Sequence, residues 1–488
     1  MTQKKNLGIN AILNVIKSGL SVLFPLITYP YALRVLGAEG IGKVSYSTSI
    51  ISYFSLLAML GVSTYGVREG AKIKHEPLKF SNFVNEIFTI NMISTTVAYL
   101  ALAITLSFVT KLKPYAPLIA LQSVSIIFTT LGVDWINTVY EDFLLITVRS
   151  ILMHIISLIM LFLFVKTSND YYTYALLTIV GNIIVCVSNW FYIRRYARVR
   201  ITLHPRISKH IKPLLIMFSN AIATSVYVNF DTTMLGWMQG DVVVGQYSVA
   251  VKVYGIIKGI LAAIYAVAVP RLASYLGQGD ASRYKKLYTD LWKYLTILLI
   301  PSGVGLGCLS REIMQFMGGA EYLSATLSLQ ILSLALVFAI YGGLTTAVLN
   351  ITIGKEKDNL IATVLSAVIN CLLNLIFIPL FSLHGAAVTT CISEAFVLVF
   401  CLVRNRNINQ YLDIKALRID FLDSIVGSFL IIGVAIGIKE WIGSWILRIV
   451  LIIITSIIVY GIYMVIRRNQ SCLFLLNMAK KKVVNRRA

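Results

Sequence analysis

The sequence predicts an all-α membrane protein of about fourteen transmembrane helices. Three observations carry that expectation. Only 13% of the 488 residues are charged and 58% are hydrophobic, whereas a soluble domain is about 25% charged. So few charges cannot cover a water-exposed surface, so most of the solvent must be lipid. Nearly every stretch of roughly 50 residues holds an apolar run of about 20, enough to cross a bilayer core of about 30 Å as helix. The runs do not alternate between apolar and polar residues, which argues against an outer-membrane barrel.

Taken in order, the spans are expected at about 8–33, 42–66, 83–110, 115–140, 145–166, 172–194, 211–238, 245–273, 287–308, 323–350, 357–379, 382–404, 420–438 and 444–467. Lys4 and Lys5 precede the first run as they would in a signal peptide. The run, however, continues to about Tyr31, too long for a signal peptide, and reads as a retained first helix. The connections between 105 and 145 are short.

Charge tests the count. With a cytoplasmic N-terminus, the outer connections hold Arg34, Lys43, Lys111, Lys113, Lys166, Arg311, Lys439 and Arg448, and Lys17, Lys252 and Lys258 lie inside spans. The rest of the 43 Lys and Arg fall on the inner side. Miscounting one middle helix would destroy this alternation. Both termini are therefore expected in the cytoplasm. The +22 net charge follows from topology and anionic headgroups, and nucleic acid is not an expected partner. The richest inner segment runs from Arg194 to Arg200 with Arg206, Lys209 and Lys212, and the tail adds Lys480, Lys481, Lys482, Arg486 and Arg487. Outer loops are short and leave little room for an extracytoplasmic catalytic domain.

The polar connection at 194–212 divides six helices from the next six. Because each set begins and ends inside, the halves read as a parallel repeat. Echoes in sequence agree: Leu36-Gly37-Ala38-Glu39-Gly40-Ile41-Gly42 after helix one, and Gln239-Gly240-Asp241 through Gly245 after helix seven. Gly42 and Gly245 are 203 residues apart. The expected division is a six-helix lobe at 1–200, a second at 201–410, and two further helices with a basic cytoplasmic tail at 411–488.

Polar residues within spans carry the functional reading, because a charge at mid-bilayer costs about 2.5–3.5 kcal/mol. Asn10, Asn14, Lys17, Ser21, Phe24, Thr28 and Tyr31 follow 4,3 spacing and share one face of helix one. That face lines either a cavity or a set of interhelical hydrogen bonds. Pro25 and Pro30 mark the same helix as bendable or statically kinked. Helix seven brings Asn220, Asn229 and Asp231. Helix eight brings Lys252 and Lys258, with Tyr247, Val251, Tyr254 and Lys258 on one face. Asp231 is offered as partner to either lysine, and two lysines for one acid suit an anionic ligand. Asp231, Glu394 and Asp134 are candidates for ion coupling, while Glu86 and Asp134 sit near inner ends. Arg34 lies just past helix one.

Several chemistries are excluded. The six cysteines form no C-x-x-C pair and read as small packing residues, and the five histidines form no metal spacing. There is no Walker A motif and no G-x-S-x-G. No cofactor is expected beyond a coupling proton or sodium ion, and the protein does not read as an enzyme.

Two segments carry a resemblance. One is Pro30-Tyr31-x-x-Arg34-Val35-Leu36-Gly37-x-x-Gly40-Ile41-Gly42 with Tyr46-Ser47. The other is Phe54-x-x-Leu57-x-x-Leu60-Gly61-x-x-x-Tyr65-Gly66-x-Arg68-Glu69-x-Ala71. Together they resemble bacterial polysaccharide flippases of the Wzx type, in the multidrug/oligosaccharidyl-lipid/polysaccharide exporter superfamily. The resemblance implies movement of an undecaprenyl-diphosphate-linked oligosaccharide between leaflets by alternating access, for O-antigen, capsule or exopolysaccharide. It also implies membrane lipids and polysaccharide polymerase machinery as partners, in the bacterial inner membrane. Lys17, Lys252 and Lys258 suit the diphosphate, and Asn14, Asn220, Asn229, Tyr31 and Tyr254 suit the sugars, in a cationic cavity between helices one, two, seven and eight. The motif glycines and Arg68-Glu69 also suit a structural role. Three rival readings remain: a drug or metabolite exporter of the same superfamily, a lipid II flippase, and a polysaccharide polymerase or ligase. The last is disfavoured by the short outer loops.

Overall fold

The computed structural model describes the backbone of residues 7–484, and their side chains except at 7–23, 143–145, 220, 223–224, 226–228 and 478–484. Every regular element among the described residues is helical. In chain order these are α1 (Leu7–Met59), α2 (Val62–Ile73), α3 (Pro77–Phe108), α4 (Ala116–Gly132), α5 (Trp135–Val139), α6 (Phe143–Phe164), α7 (Tyr171–Ile193) and α8 (Ile207–Met238). They continue with α9 (Asp241–Ala266), α10 (Val269–Gly277), α11 (Ala281–Gly318), α12 (Thr326–Gly343), α13 (Glu356–Arg404), α14 (Ile414–Trp441), α15 (Trp445–Ile466) and α16 (Gln470–Val484).

Eleven helical stretches among the described residues are long and apolar enough to cross a membrane. Two of them are each a pair of spans. α1 breaks at Gly37, at φ 68° and ψ 175°, and α13 breaks at Ser382, at φ 52° and ψ −131°. α8, at 32 residues, is also long enough to cross. The expected fourteen spans are therefore present, with three differences in detail. The expected loop at 34–41 is helix on both sides of Gly37. α11 runs 38 residues, where a span of 287–308 was expected. At 1.5 Å per residue it is about 57 Å long and projects past the bilayer, so Lys285, Lys286 and Arg311 are helical rather than loop. Short amphipathic helices, α2 and α10, follow the second and eighth spans.

The element order repeats. A span ends in a glycine of positive φ, Gly37 or Gly240. A second span follows, then a short amphipathic helix and a long span. A 3-10 turn comes next, at Thr110–Tyr115 or Ala320–Ala325. The internal echo in sequence thus corresponds to an echo in structure.

By packing, the chain forms two compact units, 1–245 and 246–488. The first is centred on Tyr65, Phe80, Phe83, Trp135, Ile136 and Leu214, which bring α2, α3, α5 and α8 together. In the second, α12 packs on α13, and α11 packs on both α12 and α14. The α14–α15 hairpin is fastened to α11 by a buried charge. Glu312 meets Lys439 at 3.0 Å and Arg448 at 3.8 Å. These two basic residues were assigned to outer connections; in the structure they neutralise an acid that would otherwise be stranded. Lys43 likewise pairs with Glu39, and Lys111 with the Trp237 carbonyl and ring.

Candidate functional site

Among the described residues, two polar seams within spans bring candidate residues together. The first is in the second unit. Tyr247, Tyr254, Lys258 and Tyr265 recur at intervals of 7, 4 and 7 and share one face of α9. Two residues one turn apart in the second half of α13, Thr390 and Glu394, meet that face. Tyr247 Oη is 3.3 Å from Thr390 Oγ1. Tyr254 Oη donates to Glu394 Oε1 at 2.9 Å, and Lys258 Nζ donates to the same oxygen at 2.5 Å. The ammonium also lies 5.4 Å from the centre of the Tyr254 ring. An isolated ammonium at this depth would be expelled or neutralised; here one carboxylate and one ring hold it. Lys258 remains one-third exposed and the Glu394 side chain is 8% exposed, so the pair is open on the lysine side.

The second seam is in the first unit, where the second half of α1 packs on α8. Thr233 donates to Ser49 Oγ at 2.9 Å and lies 2.9 Å from Tyr53 Oη. Asn229 bonds Ser225 one turn earlier, and Asp231 is buried between these positions on α8.

At the glycine ends of these helices the backbones touch. A Cβ on Gly42 would sit 1.8 Å from the Asp241 carbonyl oxygen. A Cβ on Gly245 would sit 1.9 Å from that of Ala38. Only glycine permits either approach. Both intervals are 203 residues, so each contact is the image of the other under the repeat. Tyr46 seals the same end: its ring covers Gly236 and meets Tyr115 edge-on, and Tyr115 donates to Asp241 Oδ1 at 2.6 Å.

The second motif segment packs below. Gly61 faces α8 backbone at Leu214 and Phe218, and Gly66 lies under the Trp135 ring. Tyr65 Oη is 2.9 Å from His210 Nδ1, and His210 Nε2 is 2.8 Å from Glu86 Oε2. Arg206 donates to the other Glu86 oxygen at 2.8 Å. Expected near a solvated end, Glu86 is instead buried and fully engaged. Arg68 pairs with Glu69, as read from sequence.

The other candidates are placed as follows. Tyr31 donates to the Val165 carbonyl at 2.8 Å and packs on Phe162. Arg34 is exposed beside the Gly37 break. Lys252 faces away from Lys258 and is exposed. Asp134 pairs with Arg149 at 2.9 Å, with its own side chain half exposed. Lys17, Asn14 and Asn220 lie outside the described side chains. Lys258 takes its carboxylate from Glu394, 136 residues away, a partner that sequence did not select. Thr390 and Tyr265 were also missed; the α9 spacing could have found Tyr265. No group of three or more His, Cys, Asp or Glu suited to a metal occurs among the described residues.

With this geometry in place, comparisons with known proteins become informative. The MurJ lipid II flippase in its inward closed conformation aligns with a TM-score of 0.72 at 18% identity, covering 95% of this chain and 99% of that one. An inward-facing multidrug resistance MATE transporter of the MOP superfamily aligns at 0.57 and 14% identity, covering 80% and 97%. These likenesses establish the fold. In sequence, the Shigella dysenteriae protein named "Putative O-antigen transporter" is 22% identical over 395 residues, 80% of this chain and 98% of its own length. An Escherichia coli K12 protein of the same name is 24% identical over 287 residues, 56% and 67%. A Haloferax volcanii protein named "Probable low-salt glycan biosynthesis flippase Agl15" is 25% identical over 231 residues, 46% and 47%. The MatE profile matches residues 216–395. The profile described as "Polysaccharide biosynthesis protein" matches residues 7–276, more than half of the chain. With the motifs and the repeated helices in agreement, the chain belongs to the polysaccharide biosynthesis protein family.

Proposed function

We propose that this protein is a flippase that moves an undecaprenyl-diphosphate-linked oligosaccharide from the cytoplasmic to the outer leaflet of a bacterial inner membrane, with both termini cytoplasmic. The observation that carries this is a family match over residues 7–276 in a chain whose spans bear basic and tyrosine side chains. A sugar-lipid diphosphate is an anion with many hydroxyls, and Lys258, Tyr254 and Tyr247 offer both kinds of contact from one face of α9. The isoprenoid tail stays in lipid while the head group crosses.

The working parts follow from the same reading. Lobes at 1–200 and 201–410 move against each other, with 411–488 appended. Lys17, Asn14, Tyr31, Arg34, Asn220, Asn229, Asp231, Lys252, Tyr254 and Lys258 form the path. Glu394, Asp231 or Asp134 takes part in coupling to a proton or sodium ion. The reciprocal glycine contact supports closure at the end where Gly37 and Gly240 lie. The role is transport rather than bond-making, and polymerase machinery acts on the product.

The test is deletion and complementation, with assay of surface polymer and of the sidedness of lipid-linked units. Units trapped on the cytoplasmic leaflet, with polymer lost, are the expected result. Normal polymer would point to a drug or metabolite exporter, and outer-leaflet units left unpolymerised would point to a polymerase.

A further inference from the structure

The segment after α7 sorts its arginines into two classes. Arg195 pairs with Asp142, which also accepts from Tyr192 and Tyr196. Arg206 pairs with Glu86. Arg194, Arg198 and Arg200 form no ion pair among the described residues; Arg194 lies against the Phe191 ring at 5.3 Å. These three line one cavity of about 460 Å³. The rest of its lining is Trp190, Ile193, Ala197 and Val199. The segment is fixed over α3: Arg200 N donates to Asn85 Oδ1 at 2.8 Å, and Thr202 N donates to Thr89 Oγ1 at 2.9 Å. The turn is closed by Tyr196 and Ala197 amides on the Ile193 carbonyl.

We propose that this cavity binds the phosphate of an anionic lipid headgroup. Three guanidinium groups within seven residues repel one another unless an anion joins them. Nearby acids are already committed to Arg195 and Arg206. Because α7 is a membrane span, a cavity at its end sits at headgroup depth. There, clustered basic side chains attract anionic lipid by about 1 kcal/mol each. Guanidinium forks suit phosphate oxygens, and Trp190, Ile193, Ala197 and Val199 offer apolar contact to the first carbons of a lipid chain. Two lipids carry this chemistry, an anionic phospholipid and an isoprenoid diphosphate. The site goes beyond the flippase proposal, because it requires only a membrane and no transport.

The experiment is equilibrium binding to the purified full chain in micelles. The probes are radiolabelled phosphatidylglycerol, undecaprenyl diphosphate and, as the uncharged control, phosphatidylcholine. Arg194→Gln/Arg198→Gln/Arg200→Gln is compared with Lys286→Gln/Lys357→Gln/Arg406→Gln, which removes equal charge elsewhere. Expected is a loss of affinity of about tenfold or more in the first variant and little change in the second. Loss for both phosphate lipids identifies a general anionic-lipid site. Loss for undecaprenyl diphosphate alone identifies a loading site for isoprenoid diphosphates. Unchanged binding in the first variant, or equal loss in both, overturns the proposal. Arg198→Lys guards against misfolding, since it keeps charge and removes the fork. It should weaken phosphate-lipid binding severalfold, and an unchanged affinity would mean that only bulk charge acts. Failure of polymer export in the deletion test bears on the flippase reading alone.

Discussion

Lys258 and Glu394 form a 2.5 Å ion pair that ties α9 to the second half of α13. Removing one partner of a fully buried pair costs about 3–5 kcal/mol. Lys258 is one-third exposed, so Glu394→Ala should destabilise the protein by about 2 kcal/mol, read as a lower unfolding temperature in micelles. The double variant Lys258→Met/Glu394→Leu should regain most of that stability. If it also restores polymer export, the pair is merely structural; a stable but inactive protein is the expected result.

Gly42 and Gly245 each face a carbonyl oxygen with no room for a methyl group. Gly42→Ala and Gly245→Ala should each separate the two turns. Labelling of Lys43→Cys by a membrane-impermeant maleimide should rise severalfold in both backgrounds. A rise in only one would show that the two contacts are not equivalent.

Glu312 is buried between Lys439 and Arg448. Lys439→Met/Arg448→Met should leave a buried carboxylate uncompensated, at about 3 kcal/mol, and lower the yield of folded protein. Adding Glu312→Gln should restore the yield. Failure of that rescue would remove the charge argument for the α11–α14 junction.

His210 joins Tyr65 to Glu86. His210→Ala leaves a hydroxyl and a carboxylate oxygen short of a partner, about 1–3 kcal/mol in a buried site. His210→Gln, which can still reach one of them, should lose less. The comparison is made by thermal unfolding of the two variants.

Much of this architecture was legible because a lipid solvent forces it: an apolar run of 20 residues has few alternatives to a crossing helix. Local rules also placed Tyr247, Tyr254 and Lys258 on one face, since helical spacing is local information. The partner of Lys258 was not legible, because Glu394 is distant in sequence and other acids competed for the assignment. Glu86 was misplaced for a related reason. Its position near a helix end suggested water, but His210 from α8 and Arg206 from the connection before α8 bond it, with Tyr65 of α2 behind His210. The length of α11 was hidden by its charges, which in sequence look like loop. Helix one's stripe predicts a lining face, and its lower half, with Asn14 and Lys17, lies outside the described side chains.

The reciprocal contact of Gly42 with Asp241 and Gly245 with Ala38 is isologous, as in a twofold homodimer. In a half-length gene whose product dimerised, one codon change would alter both contacts at once. After duplication and fusion into one reading frame, the two turns can diverge separately. In this chain the two turns differ: Ala38 offers the interface only a backbone, while its counterpart Asp241 adds a carboxylate that engages Tyr115.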